Sequence, residues 1–155
     1  MSKTAILVVK EPKNHGSVPA SHWAEELGAW VDNVYGPGLK KEVYVMNKGT
    51  YTLGIKGMEK IIQEYGKDII VAFEWVSRMT NKIEEFPYFD KLVDEGVEFC
   101  FSYDKFVWNK DTETTIRHDI EYVQKRSKEK SDLSKKYSKP RQKKEPSDES
   151  PVSES

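Results

Sequence analysis

Apolar residues occur along this chain in short continuous runs, and each run predicts a strand. The runs are rich in β-branched residues, which is typical of strands covered on both faces of a sheet. The predicted strands lie at residues 4–9, 43–46, 68–75 and 97–101, with a short hairpin piece around 106–108. Strands of this kind need helices above and below them to exclude water.

Between these runs, apolar residues return at helical spacing and predict three helices. The first begins with Ser21 as its N-cap. The second covers residues 58–65 and the third residues 84–95, and each ends at a glycine, Gly66 or Gly96. Loops are predicted at residues 11–20, 36–38 and 47–57. Strands that alternate with helices predict an α/β domain with a mainly parallel sheet of four to five strands.

The chain after residue 111 has a different pattern. A long helix is predicted over residues 112–137, with an apolar stripe of Ile116, Ile120 and Val123 that lasts only two turns. The organisation predicted from sequence is therefore an α/β domain at 1–111, the long helix at 112–137, and a disordered tail at 138–155 that is rich in proline, serine, lysine and glutamate.

Length and cysteine content narrow the class of protein. The 155 residues suit one ordinary domain, and the longest apolar runs are too short to cross a bilayer. A single cysteine, Cys100, excludes a disulfide framework and predicts a reducing, cytoplasmic setting. His118 and Asp119 have no second histidine at ligand spacing, so neither a metal site nor a cofactor is predicted.

Charge is distributed unevenly along the chain. Residues 1–123 contain 15 lysines and arginines against 20 acidic residues, a net charge of −5. Residues 124–144 contain 10 against 2, a net charge of +8, and residues 145–155 contain four acids and no base. Basic blocks are typical of contact with nucleic acid, although a solvated helix end is the plain alternative. DNA, if bound, is expected at the basic segment.

Four segments, taken in order, resemble the catalytic domain of the serine recombinases, the resolvase and invertase family. Residues 42–49 (EVYVMNKG) resemble its second strand and mobile loop, and residues 68–81 (DIIVAFEWVSRMTN) resemble the strand that leads into an Asp-Arg-Leu-x-Arg motif. Residues 89–99 (FDKLVDEGVEF) resemble its helix, Gly-Val and strand signature, and residues 111–132 the start of its long dimer helix. The resemblance covers roughly residues 4–135 and implies a three-layer resolvase-like domain.

The reaction of that family needs a serine that attacks a DNA phosphodiester and arginines that stabilise the phosphoryl group. The resemblance places Pro12 at the position of the serine and Lys10 at an arginine position. In the Asp-Arg-Leu-x-Arg motif, Ser77 takes the position of the aspartate, Arg78 is retained, and Asn81 takes the position of the second arginine. Because proline has no hydroxyl, the resemblance implies that no catalytic set is intact and that the chain is a pseudoenzyme.

The resemblance also implies how an inactive chain would act. The helix at 112–137 is expected to form a homodimer, or a heterodimer with an active recombinase or regulatory partner. DNA contacts are expected from Arg78, which alternatively pairs with Glu74 or Glu84, and from the basic residues of the helix. These basic residues are Lys125, Arg126, Lys128 and Lys130. Such a protein would regulate recombination or transcription in a mobile element or phage, and would be nucleoid-associated when bound to DNA.

Two alternative functions stay open at this point. One is a divergent active recombinase that uses another hydroxyl, for which Ser17 beside His15 is the candidate, although a polar turn explains both residues as well. The other is a protein-interaction module that does not bind DNA. Three observations would separate these functions. Strand cleavage indicates an active recombinase, DNA retention that salt removes indicates an inactive DNA-binding protein, and a protein partner that stays bound in high salt indicates an interaction module.

Overall fold

The computed structural model describes residues 3–11, 18–47 and 49–144, with side chains described as far as residue 133. The strands within these residues are β1 (Thr4–Lys10), β2 (Lys41–Met46), β3 (Ile69–Phe73), β4 (Glu98–Phe101) and β5 (Phe106–Val107). The α-helices are α1 (Ala20–Tyr35), α2 (Gly54–Tyr65), α3 (Val76–Met79), α4 (Phe86–Asp94) and α5 (Glu113–Lys144). A 3-10 turn at Ile83–Glu85 leads into α4.

The strands form one sheet in the order β2-β1-β3-β4-β5. Strands β1 to β4 are parallel, and β5 returns antiparallel to β4 as a short hairpin, with Phe101 opposite Phe106. The predicted α/β class and the mainly parallel sheet are therefore confirmed. All five residues of β3 are buried, as a strand covered on both faces requires.

Helices cover the two faces of the sheet unequally. On one face, α1 packs with Ala24, Leu27 and Val31 against a cluster that includes Leu7 of β1 and Cys100 of β4. On the other face, α2, α3, α4 and the first turns of α5 enclose the larger cluster. Its centre is aromatic, and the rings stack or meet edge to face. Burial raises the pKa of the Cys100 thiol to about 12, so this cysteine is part of the core.

Helix α2 begins at Gly54, whereas the sequence predicted a loop as far as residue 57. The apolar side chains of Ile55, Met58 and Ile62 lie on one helix face and pack in the core. Their burial outweighs the roughly 1 kcal/mol that a glycine costs inside a helix. The glycine-rich composition alone therefore misled the prediction.

Two other boundaries differ from the prediction. Helix α1 is preceded by Pro19 in extended conformation, so Ser21, the predicted N-cap, lies inside the first turn instead. The carbonyl of Pro19 accepts a hydrogen bond from His22 N at 3.1 Å. Strand β3 ends at Phe73, and the chain turns at Glu74 into the short helix α3, which the sequence did not predict.

The predicted helix stops are confirmed, since Gly66 and Gly96 have φ of +79° and +106°.

Helix α5 belongs to two units of the chain, Met1–Glu121 and Tyr122–Ser155. Its first turns are part of the α/β unit because Ile116 and Ile120 are fully buried in the core. The sequence placed this boundary at 111/112, before the helix. The helical backbone continues to Lys144, past the predicted end at 137, and lysine, arginine and glutamine are good helix formers. Within the described residues, no helix has the length and apolarity needed to cross a bilayer.

Two glycines inside helices are expected to respond in opposite directions to an added methyl group. A Cβ at Gly57 would lie 2.5 Å from Cδ1 and 2.8 Å from Cγ of Leu53, a side chain that is 7% exposed. A Cβ at Gly28 would meet nothing closer than Lys41 Cδ at 3.5 Å. We expect G28A to stabilise the fold by about 0.5–1 kcal/mol through helix propensity. We expect G57A to destabilise it by about 1–3 kcal/mol through overpacking.

Urea unfolding of the two variants beside the parent protein measures both effects, and G28A is the matched control for G57A. Equal stabilisation by both substitutions would contradict the close contact between Gly57 and Leu53.

Candidate functional site

The carboxyl ends of β1 and β3 lie side by side where the strand order reverses. In open α/β sheets, ligands bind in the crevice at this switch point. Lys10 is the last residue of β1, Ser77 and Arg78 lie in α3 just after β3, and Asn81 follows α3. The structure therefore brings these four predicted positions to one edge of the sheet. The other predicted positions lie outside the described residues: Pro12, His15 and Ser17.

Arg78 is held by partners within the protein. Its Nε donates to Glu74 Oε1 at 3.3 Å, and its Nη1 donates to the carbonyl oxygen of Tyr51 at 3.0 Å. The guanidinium also lies 4.8 Å from the ring centroid of Trp75. The Arg78 and Glu74 side chains are only 14% and 7% exposed, so the ion pair is largely removed from water. Of the two partners that the sequence offered, Glu74 forms an ion pair with Arg78 in the structure.

The segment between β2 and α2 is attached to the backbone of α3 by two hydrogen bonds. Thr52 Oγ1 donates to the carbonyl of Ser77 at 3.0 Å, and Leu53 N donates to the carbonyl of Arg78 at 2.7 Å. Lys10 Nζ lies 3.8 Å above the centroid of the Tyr51 ring. Both cations of the edge therefore contact the same segment, Lys10 through the Tyr51 ring and Arg78 through the Tyr51 carbonyl.

Aromatic side chains lie at this edge that the sequence did not identify as site residues. Trp75 follows β3, Tyr103 follows β4, and their ring centroids are 5.1 Å apart at an interplanar angle of 32°. Tyr51 follows β2, and both its carbonyl and the Trp75 ring contact Arg78. The sequence could have predicted this grouping from position alone, because residues that follow parallel strands lie at the same edge of the sheet.

Two carboxylates near the start of α3, Asp104 and Asp119, influence each other electrostatically. Asp104 Oδ2 accepts a hydrogen bond from Val76 N at 3.0 Å and so holds the start of α3. Burial raises the pKa of the Asp119 carboxyl, repulsion from Asp104 acts in the same direction, and His118 lowers it. A carboxyl whose pKa is raised in the folded state binds more protons there than in the unfolded chain. Its contribution to stability is therefore present at low pH and decreases as the pH rises through the shifted range.

The described part of this edge combines aromatic faces with cations that are already engaged. Transition-state stabilisation requires donors aimed at the place where charge develops, whereas Lys10 and Arg78 are aimed at Tyr51 and Glu74. Among the described residues, no group of three or more histidines, cysteines, aspartates and glutamates is placed to hold a metal ion. The two described cations, Lys10 and Arg78, are therefore engaged by neighbouring side chains and backbone of the protein itself.

Of the basic residues predicted to contact DNA, Arg78 is partly buried in α3, whereas the four on α5 lie in the second unit and are exposed. They are Lys125, Arg126, Lys128 and Lys130. Arg126 Nη1 donates to the hydroxyl of Tyr122 at 3.2 Å, within one helical turn. At 100° per residue, Arg126 and Lys130 share one side of the helix while Lys125 and Lys128 share another. The positive charge therefore surrounds most of the helix.

The fold and this edge define an α/β protein with a mainly parallel sheet whose switch-point crevice has aromatic and cationic side chains. No protein-family model matches the chain, and no significant similarity to a curated protein or to a solved structure is found.

Proposed function

We propose that this chain is a catalytically inactive relative of the serine recombinases. It acts by binding duplex DNA through the basic part of α5 and by pairing with itself, or with a recombinase or regulatory partner, through the same helix. In this role it regulates recombination or transcription in a mobile element or phage. The observation that carries the proposal is the engagement of Arg78 by Glu74 and Tyr51 at the edge where the family's chemistry is located.

The engagement of Arg78 supports a loss of phosphoryl transfer. A transition-state arginine needs free donors and an unopposed charge, and Glu74 opposes the charge at 3.3 Å. The sequence adds Pro12 at the position of the nucleophile and a lysine at position 10. Loss of one directed donor costs roughly 100- to 1,000-fold in rate, and the losses here affect several groups.

The charge distribution supports contact with DNA. Residues 1–123 have a net charge of −5 and residues 124–144 a net charge of +8, so phosphates are attracted to one segment only. The four predicted contact residues of that segment are exposed. Phosphate contacts of this kind are independent of base sequence and weaken steeply with salt.

The test measures duplex binding and strand cleavage on the full chain. In a fluorescence anisotropy titration, we expect affinity for a random-sequence duplex to fall linearly on a log–log plot between about 50 and 200 mM salt. We expect no phosphoserine–DNA adduct on a nicked suicide substrate. An adduct would establish the divergent recombinase instead. Absence of duplex binding at the lowest salt would overturn the DNA part of the proposal and favour the interaction module.

A further inference from the structure

Two exposed tyrosines and one partly buried tryptophan lie at the carboxyl edge of the sheet, which we call the aromatic edge: Tyr51, Trp75 and Tyr103. Tyr103 is 54% exposed and Tyr51 is 49% exposed. Within the described residues, these are two of the three exposed tyrosines, and both follow parallel strands at the carboxyl edge of the sheet. Rings that served only to pack the core would be covered, as Phe73 and Phe99 are.

Each side of the aromatic edge has a cation against a ring. Lys10 Nζ lies 3.8 Å from the centroid of Tyr51, and the Arg78 guanidinium lies 4.8 Å from the centroid of Trp75. A cation beside a stacking ring is the arrangement that lets single-strand-binding proteins contact a base and its phosphate together.

We propose that the aromatic edge binds an unpaired nucleobase that carries a phosphate, as in single-stranded DNA or RNA. The base stacks on Tyr103 and Trp75, and Tyr51 offers a second ring. Every base has a π-face, so this binding tolerates any sequence. The site is separate from the duplex-binding segment of α5 and goes beyond the proposed function.

The charges around the aromatic edge set the character of the binding. Glu74 neutralises Arg78, and Asp104 stands next to Tyr103, so the net positive field is small. Stacking therefore contributes more than phosphate attraction. Binding at the aromatic edge is expected to depend weakly on salt, whereas duplex binding by α5 depends on it steeply.

The experiment is an anisotropy titration of a labelled oligo-deoxythymidylate with the full chain, at a salt concentration where duplex binding is lost. We expect Tyr103→Leu to weaken binding about tenfold and Tyr103→Phe to leave it within about twofold, because the phenyl ring keeps the stacking face. Tyr122→Leu, which removes an exposed tyrosine of α5, is the control and is expected to bind as the parent does. Thermal unfolding of each variant confirms that it is folded.

Two further probes identify what is bound. An abasic oligonucleotide keeps the phosphates without the bases and is expected to bind at least about tenfold more weakly. Thymidine monophosphate as competitor distinguishes the source of the base. Displacement by the mononucleotide assigns the site to single nucleotides, and displacement by oligonucleotide only assigns it to a strand.

Equal binding by the abasic strand, equal binding by Tyr103→Leu, or no binding of oligo-deoxythymidylate by the parent protein would each overturn this inference. Its outcome is independent of the proposed function, since a chain that loses duplex binding can still retain the oligonucleotide at the aromatic edge.

Discussion

Replacing Arg78 with methionine is expected to lower the free energy of unfolding by about 3–5 kcal/mol. The substitution leaves Glu74, 5% exposed, as an uncompensated charge inside the protein, and it removes the donor to the Tyr51 carbonyl. An exposed ion pair would cost at most about 1 kcal/mol when broken, so the burial of both side chains decides the magnitude. Urea unfolding of the full chain measures the loss.

The double variant R78M/E74L is the control for this effect. Replacing both members of a buried pair with apolar side chains removes the stranded charge, so we expect it to recover most of the lost stability. R78K keeps the positive charge but not the planar guanidinium group, so we expect its free energy of unfolding to lie between those of the parent and R78M. A loss below about 1 kcal/mol for R78M would mean that the pair is solvated and that Arg78 is available to a phosphate.

The second large effect is expected on the affinity of the protein for duplex DNA. Replacing Lys125, Arg126, Lys128 and Lys130 with alanine is expected to weaken duplex binding at low salt by at least about tenfold. We also expect the slope of log affinity against log salt to fall by about two to four, since each phosphate contact contributes about 0.9. The range reflects the placement of these residues on two sides of α5, because a duplex lying against one side meets about half of them.

A matched variant separates local contact from overall charge. Alanine at four exposed lysines of the α/β unit changes the net charge by the same amount. These lysines are Lys60, Lys82, Lys91 and Lys110. We expect this variant to retain most of the affinity for duplex DNA and the full slope of log affinity against log salt. Equal losses in the two variants would show that DNA responds to total charge, and the proposed contact surface on α5 would be wrong.

Much of the fold followed from local pattern. Buried β-branched runs such as residues 4–9 predict central strands, since the same residues satisfy strand propensity and burial on both faces. Gly66 and Gly96 mark helix ends because they adopt positive φ. The start of α2 was missed for the opposite reason, since the local preference of glycine was overruled by the burial of Ile55 and Met58.

The candidate site depended on contacts that a linear pattern does not contain. The sequence supplied Lys10, Ser77, Arg78 and Asn81 through a family resemblance, and it offered Glu74 as one of two partners for Arg78. It did not reveal that the carbonyl of Tyr51 would complete the contacts of Arg78. That contact joins residues separated by 27 positions in the chain.

By itself, the sequence determined the periodicity of the elements, the α/β class and the basic segment before residue 145, because propensity, burial pattern and charge are properties of neighbouring residues. The tertiary structure alone decided which cations are engaged and which rings are exposed together. Parallel strands bring their carboxyl ends to one edge, so Tyr51, Trp75 and Tyr103 meet there from three separate segments. Only the tertiary packing left Tyr51 and Tyr103 exposed while it buried Glu74.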